Sequence, residues 1–318
     1  MVSTSSVWES LSCFHSAEMT QKYLRKCYQK TALKEADMQS YNNCYPFIYY
    51  LEQGELYFKQ AQLTPLSIQP ILLFYGYIHL IKACVLTIDP YYPQNTSVLA
   101  HGVTSRKRKK QQYSFLKDEI KIQKNGLLSH FAQEMFHVKH LEAEKFQMGD
   151  LLSQIPEMND TFQMVLAKRT HFPLSRQDNL LTFGDRTLDH YHMSRERLSH
   201  FLKEKTNNKI DVYNGSLQIL TPELVELPPI RLNIRDNSYS IPVDRSDAYT
   251  LPEPIIHYLL LYNLSMIARY ETEWWSELLK SNSSDDYPII KNFLCLSLEK
   301  PPILIKNYLF SKLQEGIN

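Results

Sequence analysis

Five successive cations, Arg106, Lys107, Arg108, Lys109 and Lys110, form the sharpest concentration of charge in the sequence. Like charges this close repel one another, so the segment gains from a polyanion, a carboxylate-rich partner or plain solvation. Tyr113 and Phe115 follow within a few residues and supply rings that could stack on bases or cover a core. Lys121 and Arg269 are further candidate anion contacts. The run therefore points to an anionic ligand: a nucleic acid, a nucleotide or an acidic protein surface. Each phosphate contact would show as a salt dependence of binding. The whole chain is otherwise balanced, with 35 Lys+Arg against 34 Asp+Glu. No global field steers it toward nucleic acid or an anionic membrane.

Metal and catalytic chemistry find less support. His130, Glu134 and His137 would share one helix face, with His140 a turn further on. Imidazoles and a carboxylate so placed could ligate a metal, but a second ExxH segment or carboxylate cluster is missing, and structural or surface histidines are expected. The Asp189-His190-Tyr191-His192 run reads the same way. Neither metal nor cofactor is expected. G-x-S-x-G, G-x-G-x-x-G and P-loop lysine motifs are all missing, and only 8 glycines are available to build them. These readings favour a non-enzymatic binding protein. Arg269 and Glu273 are spaced as an i,i+4 ion pair, and Trp274-Trp275 could anchor their helix.

The five cysteines, Cys13, Cys27, Cys44, Cys84 and Cys295, are scattered and odd in number. They read as reduced thiols of a cytosolic protein rather than a disulfide or zinc framework. No basic and apolar leader is visible at Met1–Ser12. The most apolar stretch, 68–88, is interrupted by Gln69, Pro70, Gly76, His79 and Lys82, which suits a core helix better than a membrane span. A soluble, cytoplasmic protein without membrane contact is the expectation.

The elements that must position these groups are mostly helical. Length, 318 residues, allows two domains or one large domain with an appendage. Helical spacing covers Val7–Leu33, a second helix capped by Asn42 or Asn43 and running to Leu63, and a third to Ile88, the last two forming an antiparallel hairpin. Further helices are predicted at 127–137, 160–168 and 194–205, the last capped by Ser194. A short strand is placed within Ser114–Gln123. Between Ile210 and Pro242, short alternating runs separated by Asn214-Gly215 and Asp236-Asn237 predict a small antiparallel sheet. A long helix from Ile255 to about Leu279 and two shorter ones complete the chain. The first and last helices are apolar enough to bury each other. The expected fold is mainly α, a discontinuous helical core of residues 1–90 and 251–318 with a mixed β excursion over 91–250.

Several segments together resemble the YaaC-like family of bacterial proteins. They are His101-Gly102-Val103-Thr104, the run from Asp118 through Asn125 and Gly126 to Leu127, and Leu264-Ser265 with Arg269, Tyr270 and Trp274. The resemblance spans most of the chain and implies a soluble bacterial protein with no assigned activity. In relatives the gene lies beside that of IMP dehydrogenase, which implies a regulatory partnership with a purine-metabolism enzyme. More loosely, Tyr50, Gly54 and Tyr57 with Leu72, Tyr75, His79, Lys82 and Ala83 are similar to the hairpin of HEPN domains. That likeness implies a metal-independent ribonuclease, with His200 as proton carrier and Arg195 stabilising phosphate charge.

Overall fold

The computed structural model describes residues 4–31, 33–105, 113–138, 141–219, 227–244, 251–282 and 284–314. In chain order these hold helices α1 (Thr4–Leu11), α2 (Ala17–Lys30), α3 (Ala36–Leu63) and α4 (Gln69–Leu86), then strands β1 (Val103–Ser105) and β2 (Glu119–Ile122). Helix α5 (Leu127–Phe136), strand β3 (Lys145–Gln147) and helices α6 (Met148–Ser153) and α7 (Asn159–Leu166) follow. Next come β4 (His171–Gln177), β5 (Leu180–Phe183), α8 (Asp185–Tyr191), α9 (Arg195–Lys205), β6 (Ile210–Tyr213), β7 (Ser216–Ile219), β8 (Arg231–Asn233) and β9 (Ser238–Pro242). The chain ends in α10 (Glu253–Tyr270), α11 (Thr272–Ser281), α12 (Asp286–Ser297) and α13 (Lys300–Gln314). The fold is mainly α with a β insertion.

Two compact units divide the chain. One comprises Val2–Gly149, Pro254–Tyr287 and Leu294–Asn318, so the described residues among 91–149 belong with the helices. The other is built from Asp150–Glu253 with Pro288–Phe293.

In the helical unit, the first and last helices are packed together. The Tyr23 hydroxyl donates to the Leu309 carbonyl at 3.0 Å, and Phe14 meets Phe47 and Phe310 edge-on at 5.4 and 6.0 Å. Helix α4 lies deepest, with Leu73, Phe74, Tyr77, Leu80, Ile81, Ala83, Cys84 and Val85 all fully buried. Each large apolar side chain buried this way contributes about 1.5–3 kcal/mol. By length and composition α4 could cross a membrane, but 72% of that window is buried, as in the core helix of a soluble protein. Small residues let α3 come close: a Cβ on Gly76 would lie 2.9 Å from the Tyr57 Cβ, and one on Gly54 2.6 Å from Leu80 Cδ2.

Three helix boundaries differ from the sequence pattern. The first helix breaks at Ser16, which caps α2 by accepting the Met19 N–H. Helix α3 begins at Ala36, and Asn43 lies within it, donating to the Tyr28 hydroxyl and the Pro90 carbonyl instead of capping. The long C-terminal helix stops at Tyr270 and restarts at Thr272.

The second unit carries a six-stranded antiparallel sheet ordered β6-β7-β5-β4-β9-β8. Asn214 and Gly215 both take positive φ, 47° and 72°, which matches the right-handed twist of the β6–β7 hairpin. Strands β4 and β5 were not expected, because Pro173 interrupts the pattern where it pairs with Ser240. One apolar cluster gathers Phe172, Leu174, Leu181 and Ile241 from the sheet with Tyr191, Leu198 and Leu202 from α8 and α9.

Glycine is required where two loops of the helical unit meet. Gly102 (φ 77°) and Gly126 (φ 135°) lie back to back, and a Cβ on Gly126 would stand 2.3 Å from Gly102 N and Cα. Gly126→Ala is expected to destabilise the protein by about 2–4 kcal/mol, through backbone strain and overpacking. Gly184→Ala, where a Cβ meets nothing within 4 Å, should stay within about 1 kcal/mol. Urea unfolding midpoints of the two variants check this.

Candidate functional site

Helix α4 leaves one stripe part-exposed, and that stripe carries Tyr75, His79 and Lys82. The spacing i, i+4, i+7 puts all three on one face, opposite Tyr50 and Tyr57 of α3, themselves seven residues apart. His79 stacks on Tyr57 at 5.7 Å and 16°, and leans on Tyr50 at 6.0 Å. Tyr57 in turn contacts Tyr75 at 6.4 Å. The Lys82 ammonium sits 5.6 Å over the Tyr50 ring. These groups form a continuous row of rings with a cation at the Tyr50 end.

The other end is built by α10 and the 100–102 loop. Leu127 N–H donates to the Ala100 carbonyl at 2.7 Å, and Leu128 N–H and the Tyr258 hydroxyl donate to the His101 carbonyl at 3.2 and 2.9 Å. This anchoring, with the Gly102–Gly126 approach, turns the His101 ring among Phe74, Tyr262 and Tyr75 at 5.1, 5.7 and 6.2 Å. Arg269 donates to the Ser265 carbonyl at 3.1 Å and the Tyr75 hydroxyl at 3.2 Å. Its guanidinium lies 5.8 Å from the Tyr75 ring and 5.3 Å from that of Tyr270. The two sequence segments His101-Gly102 and Asn125-Gly126 thus act together to orient one imidazole toward the row.

Arg269 does not pair with Glu273. The helix ends at Tyr270, so the two residues do not share one helical face, and the guanidinium turns to neutral acceptors. Among the described residues neither Lys82 nor Arg269 has a carboxylate within ion-pair distance. Burial pulls the Lys82 ammonium below its ordinary range. Burial likewise lowers His79 and His101, and the neighbouring cations lower them further: Lys82 at His79, Arg269 and Lys82 at His101. His79 Nδ1 is buried without a hydrogen-bond partner. The Tyr92 hydroxyl, which feels both Tyr50 and Asp89, is also buried and unpartnered. Tyr92 stacks on His130 at 5.7 Å, and His130 Nε2 lies 3.0 Å from Asp89 Oδ2. Burial raises Asp89, but hydrogen bonds from His130, Tyr91 N–H and Gln94 outweigh it and leave the carboxyl below its usual range.

The other candidate residues are placed elsewhere. Arg106, Lys107, Arg108, Lys109 and Lys110 lie outside the described residues. Tyr113 meets Trp274 edge-on at 4.6 Å and donates to Asp118 Oδ2 at 3.1 Å. Phe115 is fully buried and presents no ring face, its N–H donating to Asp286 Oδ2 at 2.8 Å. Lys121 is exposed on β2 opposite Thr104 and Lys145. His130 is held by Asp89, His137 caps α5 in the left-handed region, and His140 is outside the described residues. No group of three metal-ligating side chains comes together among the described residues. Arg195 and His200 lie on α9 in the sheet unit, His200 exposed and the Arg195 stem beside Gly215.

A family model described as YaaC-like protein matches residues 12–309, nearly the whole chain. The chain belongs to the YaaC-like family. No curated protein and no solved structure matches it. In this YaaC-like chain the resemblance segments had marked His101, Gly102, Gly126 and Arg269, but not the α4 stripe. In the sequence Lys82 and His79 read as interruptions of an apolar stretch, and both, with Tyr50, Tyr57 and Tyr75, as part of a hairpin pattern rather than as a site. The signal was legible as polar groups at i, i+4, i+7 on an otherwise apolar helix.

The imidazoles give a signed pH dependence. Held low in the folded state, His79 and His101 take up protons less readily than in the unfolded chain. Their contribution to stability is therefore present above the ordinary histidine range and is lost as pH falls through it. An anion bound beside them favours the protonated rings, so anion binding should tighten as pH falls from about 7.5 to 6 and take up protons. Titrating sulfate, which does not itself change protonation in this range, into the protein in buffers of different ionisation enthalpy measures that uptake. Release of protons, or none exchanged, would contradict the site.

Proposed function

We propose that this YaaC-like chain is a cytoplasmic, non-enzymatic binding protein that docks an anionic ligand on the ring-lined face carrying Lys82, His79, His101 and Arg269. The observation that carries this reading is the pair of half-buried cations without a carboxylate, Lys82 and Arg269. A charge withdrawn from water is costly unless it is paired, and a protein gains by filling such a position with its own carboxylate. Lys82 instead faces the Tyr50 ring, and Arg269 faces two rings and neutral acceptors, which hold a cation in place and leave it available to an incoming anion. The basic run 106–110 lies outside the described residues, and the face offers the same chemistry on positioned groups.

Pyrophosphate should bind the wild-type protein with an affinity that falls as salt rises. Lys82→Met and Arg269→Met should each weaken it by about 10-fold or more, or roughly 1.4 kcal/mol. Lys121→Ala, on exposed β2, should leave it unchanged. Lys82→Met should also raise the melting temperature, because it removes a half-buried unpaired charge while keeping the stem. Calorimetry and thermal melts read both effects. Wild-type affinity in both methionine variants would overturn the proposal.

A further inference from the structure

The cations are only half of what this face offers; the remainder is aromatic. Tyr50, His79, Tyr57, Tyr75, His101 and Tyr262 follow one another with neighbouring centroids 5.7 to 6.4 Å apart. Tyr50, Tyr57, Tyr75, His79 and His101 are all part-exposed, so the row presents ring surface to solvent as well as packing on itself. A site for a bare inorganic anion has no use for such a surface, whereas a planar heterocycle stacks on it. Lys82 is in contact with Tyr50, Arg269 is in contact with Tyr75, and His101 lies within electrostatic reach of both cations. Two cations thus act on one imidazole, which suits an anion with more than one negative centre.

Among the described residues, the chain following these two cations turns acidic rather than basic. Past Lys82 the C-terminal side of α4 leads to Asp89, and past Arg269 the chain continues with Glu271. On α3, Glu55 lies between Tyr50 and Tyr57 in sequence and is paired with Lys59 at 2.7 Å. A long strand needs cations that continue along its backbone. Along the described chain acidic residues, not further cations, come after both Lys82 and Arg269, so a small ligand is favoured over a polynucleotide.

From this arrangement we propose that the anion docked on this face is a nucleoside diphosphate, its base stacked on the Tyr57–His79 platform and its phosphates shared between Lys82 and Arg269 about His101. This rests on the anion-binding reading above and adds the ring and the size of the ligand. Base–aromatic stacking contributes about 1–3 kcal/mol, so a base should tighten binding by about 10-fold or more over the same phosphates alone.

The test is calorimetric titration of the full-length protein with ADP, UDP, pyrophosphate and a ten-nucleotide single strand. At least one nucleoside diphosphate is expected to bind 10-fold or more tightly than pyrophosphate, and the strand no more tightly than that nucleotide. Tyr57→Leu, checked for folding by thermal melts, should reduce nucleotide affinity to the pyrophosphate level and leave pyrophosphate itself unchanged. Equal binding of pyrophosphate and both nucleotides by the wild-type protein overturns the base-stacking inference and leaves the anion reading standing. A strand that binds 10-fold more tightly than either nucleotide overturns the small-ligand inference. Failure of all four probes overturns both readings.

Discussion

Burial of α4 is the constraint on which the helical unit depends. Its apolar faces are enclosed by α3, α13 and α5, and the close approach of α3 is possible because Gly54 and Gly76 carry no Cβ. A helix buried on nearly every side can carry polar side chains only along the stripe that remains open. That stripe is where Tyr75, His79 and Lys82 fall. The same packing that provides the stability of the core therefore determines the line along which this chain can meet a ligand.

The second determinant is the meeting of two loops at Gly102 and Gly126. Backbone hydrogen bonds from Leu127 and Leu128 hold residues 100 and 101, and the Tyr258 hydroxyl fastens the same carbonyl from α10. A loop so tied presents His101 at a defined position without a helix beneath it. Arg269 then reaches Tyr75 because α10 ends one residue later, which releases it from the expected partner Glu273. Four chain segments, α3, α4, the 100–102 loop and α10, converge on the row, yet none of them contributes a carboxylate to either cation.

Much of the architecture was legible. Apolar periodicity located α3, α4, α5, α9 and the C-terminal helices, and Asn214-Gly215 marked its hairpin, because these are local consequences of side-chain spacing and backbone freedom. Where local preference and tertiary contact competed, the contact won. Asn43 is a good capping residue but lies mid-helix, where its amide reaches Tyr28 and Pro90. Phe115 reads as a ring for stacking on bases or for covering a core, and contact decides for the core, beside a turn held by Asp286. Strands β4 and β5 have no clear sequence signal, because Pro173 breaks a pattern that neighbouring strands restore.

Taken by itself, the order of residues determined the helical class, the β insertion, the family and several of the segments that build the face. These follow from periodicity, turn chemistry and motif spacing, all of which act over a few residues. Which groups share a surface was decided only by tertiary structure. Lys82 and Arg269 are 187 positions apart in the chain, and no local rule relates them. Their common lack of a carboxylate depends on where every acidic side chain nearby is directed, and packing alone settles that.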